Sequence, residues 1–432
     1  MLDTTKPRPL TAAAVKAMLG DGQELALVDV REELTFSQNH LLWARNVPLS
    51  RLELRFARLV PRKATRIVPI DDNDGLVERA AGILARAGYG DLAYLDGGVT
   101  GWEQAGCVTF SGVHVPSKAF GEFVEHDRGT PSVSAQELDA LMRSGTKMVV
   151  LDSRPFDEYS RISIPTGINV PGAELVLRVH DIAPSPDTTI VVNCAGRTRS
   201  ILGAQSLINA GVPNKVVALR NGTMGWHLAG LTCATGKADR APKVSNDGLA
   251  WAKKAAEEVA RRWKVERIDR ATLATWRADD ARTTYVFDVR DPDEYRAGHL
   301  PGAISAPGGQ LVQATDIYAG VLGARIVCCD DKEARALMTA SWLKQMGWQD
   351  VFVLPEAGGE KDDPAPPLLG TPSDKAVAPS APLATDNVSV IDLSTSPHYR
   401  RGHIPGAWFA IRARLDRALE KIAPKGDLIL TS

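Results

Sequence analysis

The stretch Val149-Val150-Leu151-Asp152-Ser153-Arg154 is a short apolar run that ends in an aspartate, and this pattern occurs four times in the chain. The other copies are Leu27-Val28-Asp29-Val30-Arg31, Val286-Phe287-Asp288-Val289-Arg290 and Val390-Ile391-Asp392-Leu393. A second apolar run follows each of the first three copies. The aspartate and the residue that closes this second run are 42 positions apart in the pairs Asp29 and Asp71, Asp152 and Cys194, and Asp288 and Asp330. Repetition at a fixed spacing indicates tandem domains.

Each copy alternates β-rich runs with helical stretches, which predicts an α/β fold made of tandem domains, each a small parallel sheet flanked by helices on both faces. The predicted domains are 8–110, 131–235, 265–358 and 383–432. The fourth is expected to be truncated inside its central strand region, because the same spacing from Asp392 passes Ser432. The predicted linkers are 111–130, a helical connector over 236–264 that packs between two domains, and a stretch rich in proline and alanine over 359–382.

Composition and charge exclude several classes of partner. The 432 residues include 51 basic and 52 acidic side chains, a net charge of −1, which argues against nucleic acid as a ligand. No apolar run reaches the ~18 residues that indicate a membrane span. The first residues lack a secretory pattern, and the five cysteines are an odd, scattered set. A cytoplasmic location is therefore expected.

The loop Cys194-Ala195-Gly196-Arg197-Thr198-Arg199-Ser200 lies between a predicted buried strand and a predicted helix. Backbone N–H groups at such a junction form a cradle for anions, and the helix dipole adds positive potential. With two arginines nearby, this environment favours the thiolate of Cys194 and makes it a candidate nucleophile. We expect the group to be ionised near neutral pH and open to solvent. The alternative is a small buried cysteine that only packs after a strand.

The sequence resembles the rhodanese superfamily of sulfurtransferases. The resemblance rests on the Asp-x-Arg that follows the first run, on His299-Leu-Pro-Gly-Ala303, on the Cys194 loop, and on Gly222-Thr-Met-Gly-Trp226. It covers three complete copies and a partial fourth, and it is closest to bacterial proteins that string several such domains together. It implies transfer of sulfane sulfur from thiosulfate or a similar anionic donor to cyanide or a thiol, through a persulfide.

Carried onto this sequence, the resemblance makes Cys194 the nucleophile and sulfur carrier. The implied substrate-binding residues are those of the loop: Ala195, Gly196, Arg197, Thr198, Arg199 and Ser200. Arg197 or Arg199 would bind the sulfonate of thiosulfate, or one of them would brace the loop through Asp152. Arg154 is expected to be structural, paired with Asp157 or Glu158.

The first and third copies depart from the pattern, because Asp71 and Asp330 stand at the cysteine position. A carboxylate cannot form a persulfide, so both copies are expected to be inactive. The acid pairs that begin with these residues are predicted to be solvated loop acids rather than cation ligands.

The remaining cysteines are expected to pack. Cys328 and Cys329 are predicted to be core residues, since cysteine is often buried. Cys107 and Cys233 follow the Gly-Trp turns, where a resolving role for Cys233 is the alternative to simple packing.

Two other functions remain open. A cysteine-dependent phosphatase would place arginine six positions after the cysteine to clamp phosphate, whereas here Ser200 is sixth and Arg199 fifth. A non-catalytic scaffold or a sulfur or redox sensor is the other alternative, because three copies show no catalytic cysteine. Neither a cofactor motif nor zinc-ligand spacing is present in the sequence, so no cofactor and no metal are predicted.

Overall fold

The computed structural model describes residues 7–361, 367–370, 388–424 and 426–432. Residues 1–6, on which the expected cytoplasmic location partly rests, and most of the predicted linker 359–382 lie outside this set. The predicted fold class is confirmed, because small parallel sheets with helices packed against them recur along the chain.

The second and third domains contain five-stranded parallel sheets with the same strand order: first, fifth, fourth, second, third. The strands of the second domain are Ser132–Val133, Met148–Asp152, Gly167–Asn169, Thr189–Asn193 and Val216–Leu219. Its helices are Ala135–Arg143, Phe156–Arg161, Glu174–Ile182, Thr198–Asn209 and Gly222–Leu228. The strands of the third domain are Glu266–Arg267, Thr284–Asp288, Ile304–Ser305, Arg325–Cys329 and Val351–Leu354. Its helices are Arg270–Arg277, Pro292–Ala297, Gly308–Gln313, Thr315–Tyr318 and Ala334–Gln345.

The sheet of the first domain is divided. Its strands are Arg8–Leu10, Leu25–Asp29, Arg45–Asn46, Arg66–Ile70 and Ala93–Leu95, and its helices are Ala12–Gly20, Glu33–Gln38, Leu52–Leu59, Leu76–Arg86 and Gly98–Gln104. Three strands form one sheet and the outer two form another, joined by an isolated bridge between Ile67 and Leu92. Pro69 lies in the central strand and has no N–H to donate, which explains the interruption.

The fourth copy departs from the predicted spacing. Its strands are Val388–Asp392, Trp408–Phe409 and Asp427–Thr431, and its helices are Ser396–Arg401 and Leu415–Ile422. Asp392 pairs with Thr431, two positions earlier than the spacing of the other copies gives, so this strand ends before Ser432. The turn into this strand is two residues shorter than in the second domain: it runs from Ile422 to Asp427, whereas the equivalent turn runs from Ile182 to Thr189.

Two long helices connect the domains. Val115–Arg128 leads from the first domain to the second, and Asn246–Arg262 leads from the second to the third. The second connector packs against Glu174–Ile182 and Ala334–Gln345, and its Ala252 and Ala256 are fully buried. The helical part of the connector over 236–264 is thus Asn246–Arg262, and this helix packs against both neighbouring domains.

A buried cluster of charged side chains joins the second and third domains. The guanidinium of Arg335 is fully buried and pairs with Asp330, Asp331 and Glu294 of its own domain. It also pairs with Glu174 of the second domain, at 2.7 Å. An ion cluster of this kind fixes the two domains in one relative arrangement.

The cluster gives unfolding a specific pH dependence. Burial opposes the charge of Glu294, but the hydrogen bond and charge of Arg335, with a smaller contribution from Lys332, lower the pKa of Glu294 from 4.5 to about 2. A carboxylate with a lowered pKa stabilises the folded state fully above its unfolded pKa and loses this contribution as the pH falls towards its folded pKa. We therefore expect Glu294→Gln to lose less stability than the native chain between pH ~5 and pH ~2, as measured by urea midpoints. Parallel curves for the two proteins would contradict this.

Candidate active site

The strand Thr189–Asn193 is central in the sheet of the second domain, between Met148–Asp152 and Val216–Leu219. It ends at Asn193, and the helix Thr198–Asn209 begins five positions later. Cys194 therefore lies at the carboxyl end of a central parallel strand, where ligands of such sheets bind. The strand, loop and helix expected from the sequence are all present.

The loop is held from one side by the helix Gly222–Leu228. The backbone N–H of Thr223 donates to the Cys194 carbonyl at 2.8 Å, and that of Met224 donates to the Ala195 carbonyl at 3.0 Å. Gly222 has φ +54°, and a Cβ atom there would lie 2.2 Å from the Cys194 carbonyl oxygen. Glycine is thus required for this close approach.

The thiol faces the start of the following helix. The Cys194 Sγ lies 3.5 Å from the Ser200 Oγ, which in turn donates to the Arg197 carbonyl at 2.8 Å. The N–H groups of Thr198, Arg199 and Ser200 occupy the first turn, where a helix offers no internal acceptor. The loop therefore places a thiol beside backbone donors that suit an anion.

Cys194 is buried, with 2% of the residue exposed. The expectation of a thiol open to solvent is not met in this conformation. On one side the helix Val115–Arg128 covers the loop, where Gly121 packs on Thr198: a Cβ at Gly121 would lie 3.0 Å from the Thr198 Cγ2. A ligand that reaches this thiol must therefore be small, or the elements that cover the loop must move.

The two loop arginines are paired with carboxylates, so the loop is less electropositive than the sequence suggested. Arg197 pairs with Glu125 at 2.6 Å and with Glu122 at 3.3 Å, and its side chain is 44% exposed. Arg199 pairs with Glu158 at 2.7 Å and is largely buried. The hydrogen bond that Arg197 donates to Glu125 is the main cause that raises the pKa of Arg197.

Arg199 is the arginine that is electrostatically linked to the thiol. Burial opposes its charge, but the hydrogen bond and charge of Glu158, with smaller contributions from Cys194 and Asp152, raise its pKa. Its guanidinium also donates to the Gln310 side-chain oxygen of the third domain, at 3.0 Å. Nothing in the local sequence indicated this residue from another domain.

Two expected pairings of the supporting residues are wrong. Arg154 binds Asp152, through Nε to Oδ1 at 2.8 Å and Nη2 to Oδ2 at 2.7 Å, rather than Asp157 or Glu158. Asp152 also accepts a hydrogen bond from the Asn193 side chain at 3.0 Å. Neither Arg197 nor Arg199 contacts Asp152, because both oxygens of this carboxylate bind the guanidinium of Arg154, two residues away. Asp152 and Asn193 are the last residues of two adjacent strands, so Asp152 links these strand ends. Arg154, which binds Asp152, thus has a structural role like the one expected of it.

The acids at the cysteine position of the other copies are buried, so the prediction of solvated loop acids is wrong for Asp71 and Asp330. The Oδ2 of Asp71 accepts the backbone N–H of Val77 at 3.0 Å, and the Oδ2 of Asp330 accepts that of Arg335 at 2.9 Å. Both donors are the second residue of the helix that follows the loop. In each of these copies a carboxylate thus occupies the anion cradle.

The remaining cysteines have no comparable setting. Cys328 and Cys329 are fully buried in a central strand, as expected of core residues. Burial raises the pKa of both thiols, that of Cys329 to about 12. Cys107 and Cys233 are half-buried, and burial raises the pKa of Cys233.

Within residues 7–361, 367–370, 388–424 and 426–432, no group of three or more His, Cys, Asp or Glu side chains is arranged to hold a metal ion. In the same part of the chain, no helix is long and apolar enough to cross a membrane.

Comparisons with known proteins agree with this architecture. A family model described as Rhodanese-like domain matches residues 11–105, 134–229 and 270–357. The crystal structure of a thiosulfate sulfurtransferase from Pseudomonas aeruginosa is similar over 98% of this chain and 82% of its own, with a TM-score of 0.94 and 49% identity. Among curated proteins, the HTH-type transcriptional regulator Rv0324 of Mycobacterium tuberculosis is 31% identical over 104 residues. That match spans 24% of this chain and 45% of the regulator.

Proposed function

The chain belongs to the family of rhodanese-like domain proteins, and from this premise we propose that its second domain transfers sulfane sulfur through a persulfide on Cys194. The donor is thiosulfate or a similar small anion, and the acceptor is cyanide or a thiol. The high similarity to a thiosulfate sulfurtransferase over nearly the whole chain supports this reaction class.

The observation that carries the proposal is the comparison of three loops within one chain. In two of them a buried carboxylate accepts a backbone N–H of the first helical turn. In the remaining loop, that of the second domain, the Cys194 thiol occupies the same position. Since the geometry holds an anion in the carboxylate copies, it suits a thiolate or a persulfide anion in the second domain.

The proposed reaction consists of two displacement steps at sulfur. The Cys194 thiolate attacks the outer sulfur of thiosulfate, the sulfur–sulfur bond of the donor breaks, and sulfite leaves with the bonding electrons. The acceptor then attacks the terminal sulfur of the persulfide, which releases thiocyanate or a new persulfide and restores the thiolate. The loop amides of residues 195–200 hold the negative charge during both steps.

The first and third domains are proposed to be non-catalytic. Asp71 and Asp330 already satisfy the donors that a substrate anion would use, and a carboxylate cannot carry sulfur. The ion cluster around Arg335 supports a stabilising role of the third domain toward the second.

Intact-mass spectrometry after thiosulfate treatment tests the proposal. We expect the native chain to gain one sulfur, about 32 mass units, because the activated thiol forms a persulfide. Cyanide should remove the added mass. Cys194→Ala should gain nothing, whereas the matched variant Cys233→Ala should load like the native chain. Loading that persists in Cys194→Ala would overturn the assignment.

A further inference from the structure

We propose that Gln310 of the third domain is a positioning residue for the sulfur-transfer loop of the second domain, where it holds the Arg199 guanidinium without neutralising it and so favours a dianionic sulfur donor. This inference rests on the proposed sulfur transfer at Cys194. It assigns to a domain without a catalytic cysteine a specific part in the chemistry of its neighbour.

The second and third domains meet through equivalent surfaces. Residues of the third domain correspond to those 136 positions earlier in the second, which the matching registers of Asp152 with Asn193 and Asp288 with Cys329 support. By this correspondence, Arg335 is the counterpart of Arg199. Likewise, Gln310 is the counterpart of Glu174.

The contacts across the interface are reciprocal. Arg199 of the second domain donates to Gln310 of the third at 3.0 Å. Arg335 of the third domain donates to Glu174 of the second at 2.7 Å. Each loop arginine is therefore held by the residue at the same position of the opposite domain.

Glycines bring the two backbones together at this interface. A Cβ atom at Gly309 would lie 2.9 Å from the Gly172 Cα, and one at Gly308 would lie 2.9 Å from the Ala173 Cβ. Gln310 follows these glycines directly, so its backbone is fixed with respect to the second domain. This close contact allows a side chain of one domain to reach the loop of the other.

The two halves of the interface differ in charge. Arg335 pairs with four carboxylates, including Asp330 at the cysteine position and Glu174 across the interface. At the corresponding positions Arg199 has a thiol and a neutral amide, and its carboxylate partner is Glu158. A neutral residue at position 310 thus leaves more of the Arg199 charge available to a substrate anion.

The charge of the donor is the variable that separates this role from a structural one. Coulomb energy is proportional to the charge of the ligand. A negative charge added beside Arg199 should therefore weaken the binding free energy of a dianion twice as much as that of a monoanion. For Gln310→Glu we expect kcat/KM to fall about tenfold with thiosulfate and about threefold with a monoanionic aryl thiosulfonate, mainly through KM. The kcat values should change little.

Three further variants sharpen the test. The double variant Glu158→Gln/Gln310→Glu returns Arg199 to one carboxylate partner and should recover most of the thiosulfate activity. Gln310→Met removes the hydrogen bond without adding charge and should affect both donors alike. Gln349→Glu places the same charge on an exposed residue of the same domain and should behave like the native chain. Thermal unfolding of each variant checks that the fold is retained.

The outcomes separate this inference from the function on which it rests. Suppose that the native chain transfers sulfur. If Gln310→Glu then keeps its activity, or loses activity equally with both donors, the role of Gln310 alone is overturned. The same conclusion follows if the double variant shows no recovery. A native chain that does not load sulfur overturns both. A larger loss with thiosulfate that the double variant reverses supports the proposal.

Discussion

Replacing Cys194 with serine is expected to lower kcat/KM for transfer from thiosulfate to cyanide by at least ~1,000-fold, because removing a catalytic nucleophile has effects of this size or larger. Serine is slightly smaller than cysteine and fits beside the Ser200 hydroxyl, 3.5 Å from the present sulfur. Its hydroxyl does not ionise near neutral pH and cannot carry sulfane sulfur. A steady-state assay of thiocyanate formation measures the change.

The control for this variant is Cys233→Ser, at a half-buried cysteine that lies outside the loop. This variant should keep its turnover within about twofold of the native chain, since partly exposed substitutions outside the active site usually have small effects on the protein. Retention of more than a tenth of the activity in Cys194→Ser would contradict the assigned nucleophile.

An aryl phosphate offered to the native chain should not be hydrolysed, and its rapid hydrolysis would favour the phosphatase alternative.

Replacing Arg335 with methionine is expected to destabilise the protein by ~3–5 kcal/mol, the usual cost of removing one partner from a buried charged cluster. The side chain is fully buried among four carboxylates, and Asp330 and Glu174 are themselves nearly inaccessible to water. Without the guanidinium these acids repel one another or must bind protons. Urea unfolding followed by tryptophan fluorescence measures the shift of the midpoint.

The comparison for Arg335 is an exposed ion pair. Arg261 contacts Glu258 at 2.9 Å, and both side chains are more than half exposed. Arg261→Met should therefore shift the urea midpoint far less than Arg335→Met does, because exposed ion pairs contribute little to stability. If Arg335→Met were no more destabilising than this variant, the buried cluster would not be a main stabilising contact between the second and third domains.

Sequence periodicity predicted the arrangement within each domain but not the details that vary between copies. The spacing of 42 positions is matched by the pairing of Asp29 with Ile70, Asp152 with Asn193 and Asp288 with Cys329, one residue before the closing position. A parallel register is fixed by the whole crossover, so the spacing fails where a turn changes length. The fourth copy has such a turn, after Ile422.

The electrostatics of the site were less predictable, because they depend on residues far away in sequence. Glu125 and Gln310 reach the loop from a connecting helix and from the next domain. The sequence indicates supporting roles for Asp152 and Arg154 but not their mutual pairing, since a side chain can reach back two residues as easily as forward to a helix. Only the reciprocal positions of Gln310 and Glu174 in the repeat offered a signal.

Pro69 has a consequence for how the first domain opens. Pro69 interrupts the hydrogen-bond ladder beside Ala93–Leu95. The two-stranded ribbon of Arg8–Leu10 and Ala93–Leu95 is therefore bonded to the rest of its sheet by fewer main-chain hydrogen bonds than the equivalent strands of the second domain. Transient fluctuations of the native state should detach this ribbon first. This opening would take place in the first domain, where Asp71 stands at the position of Cys194, and it would leave the strand Thr189–Asn193 before Cys194 intact.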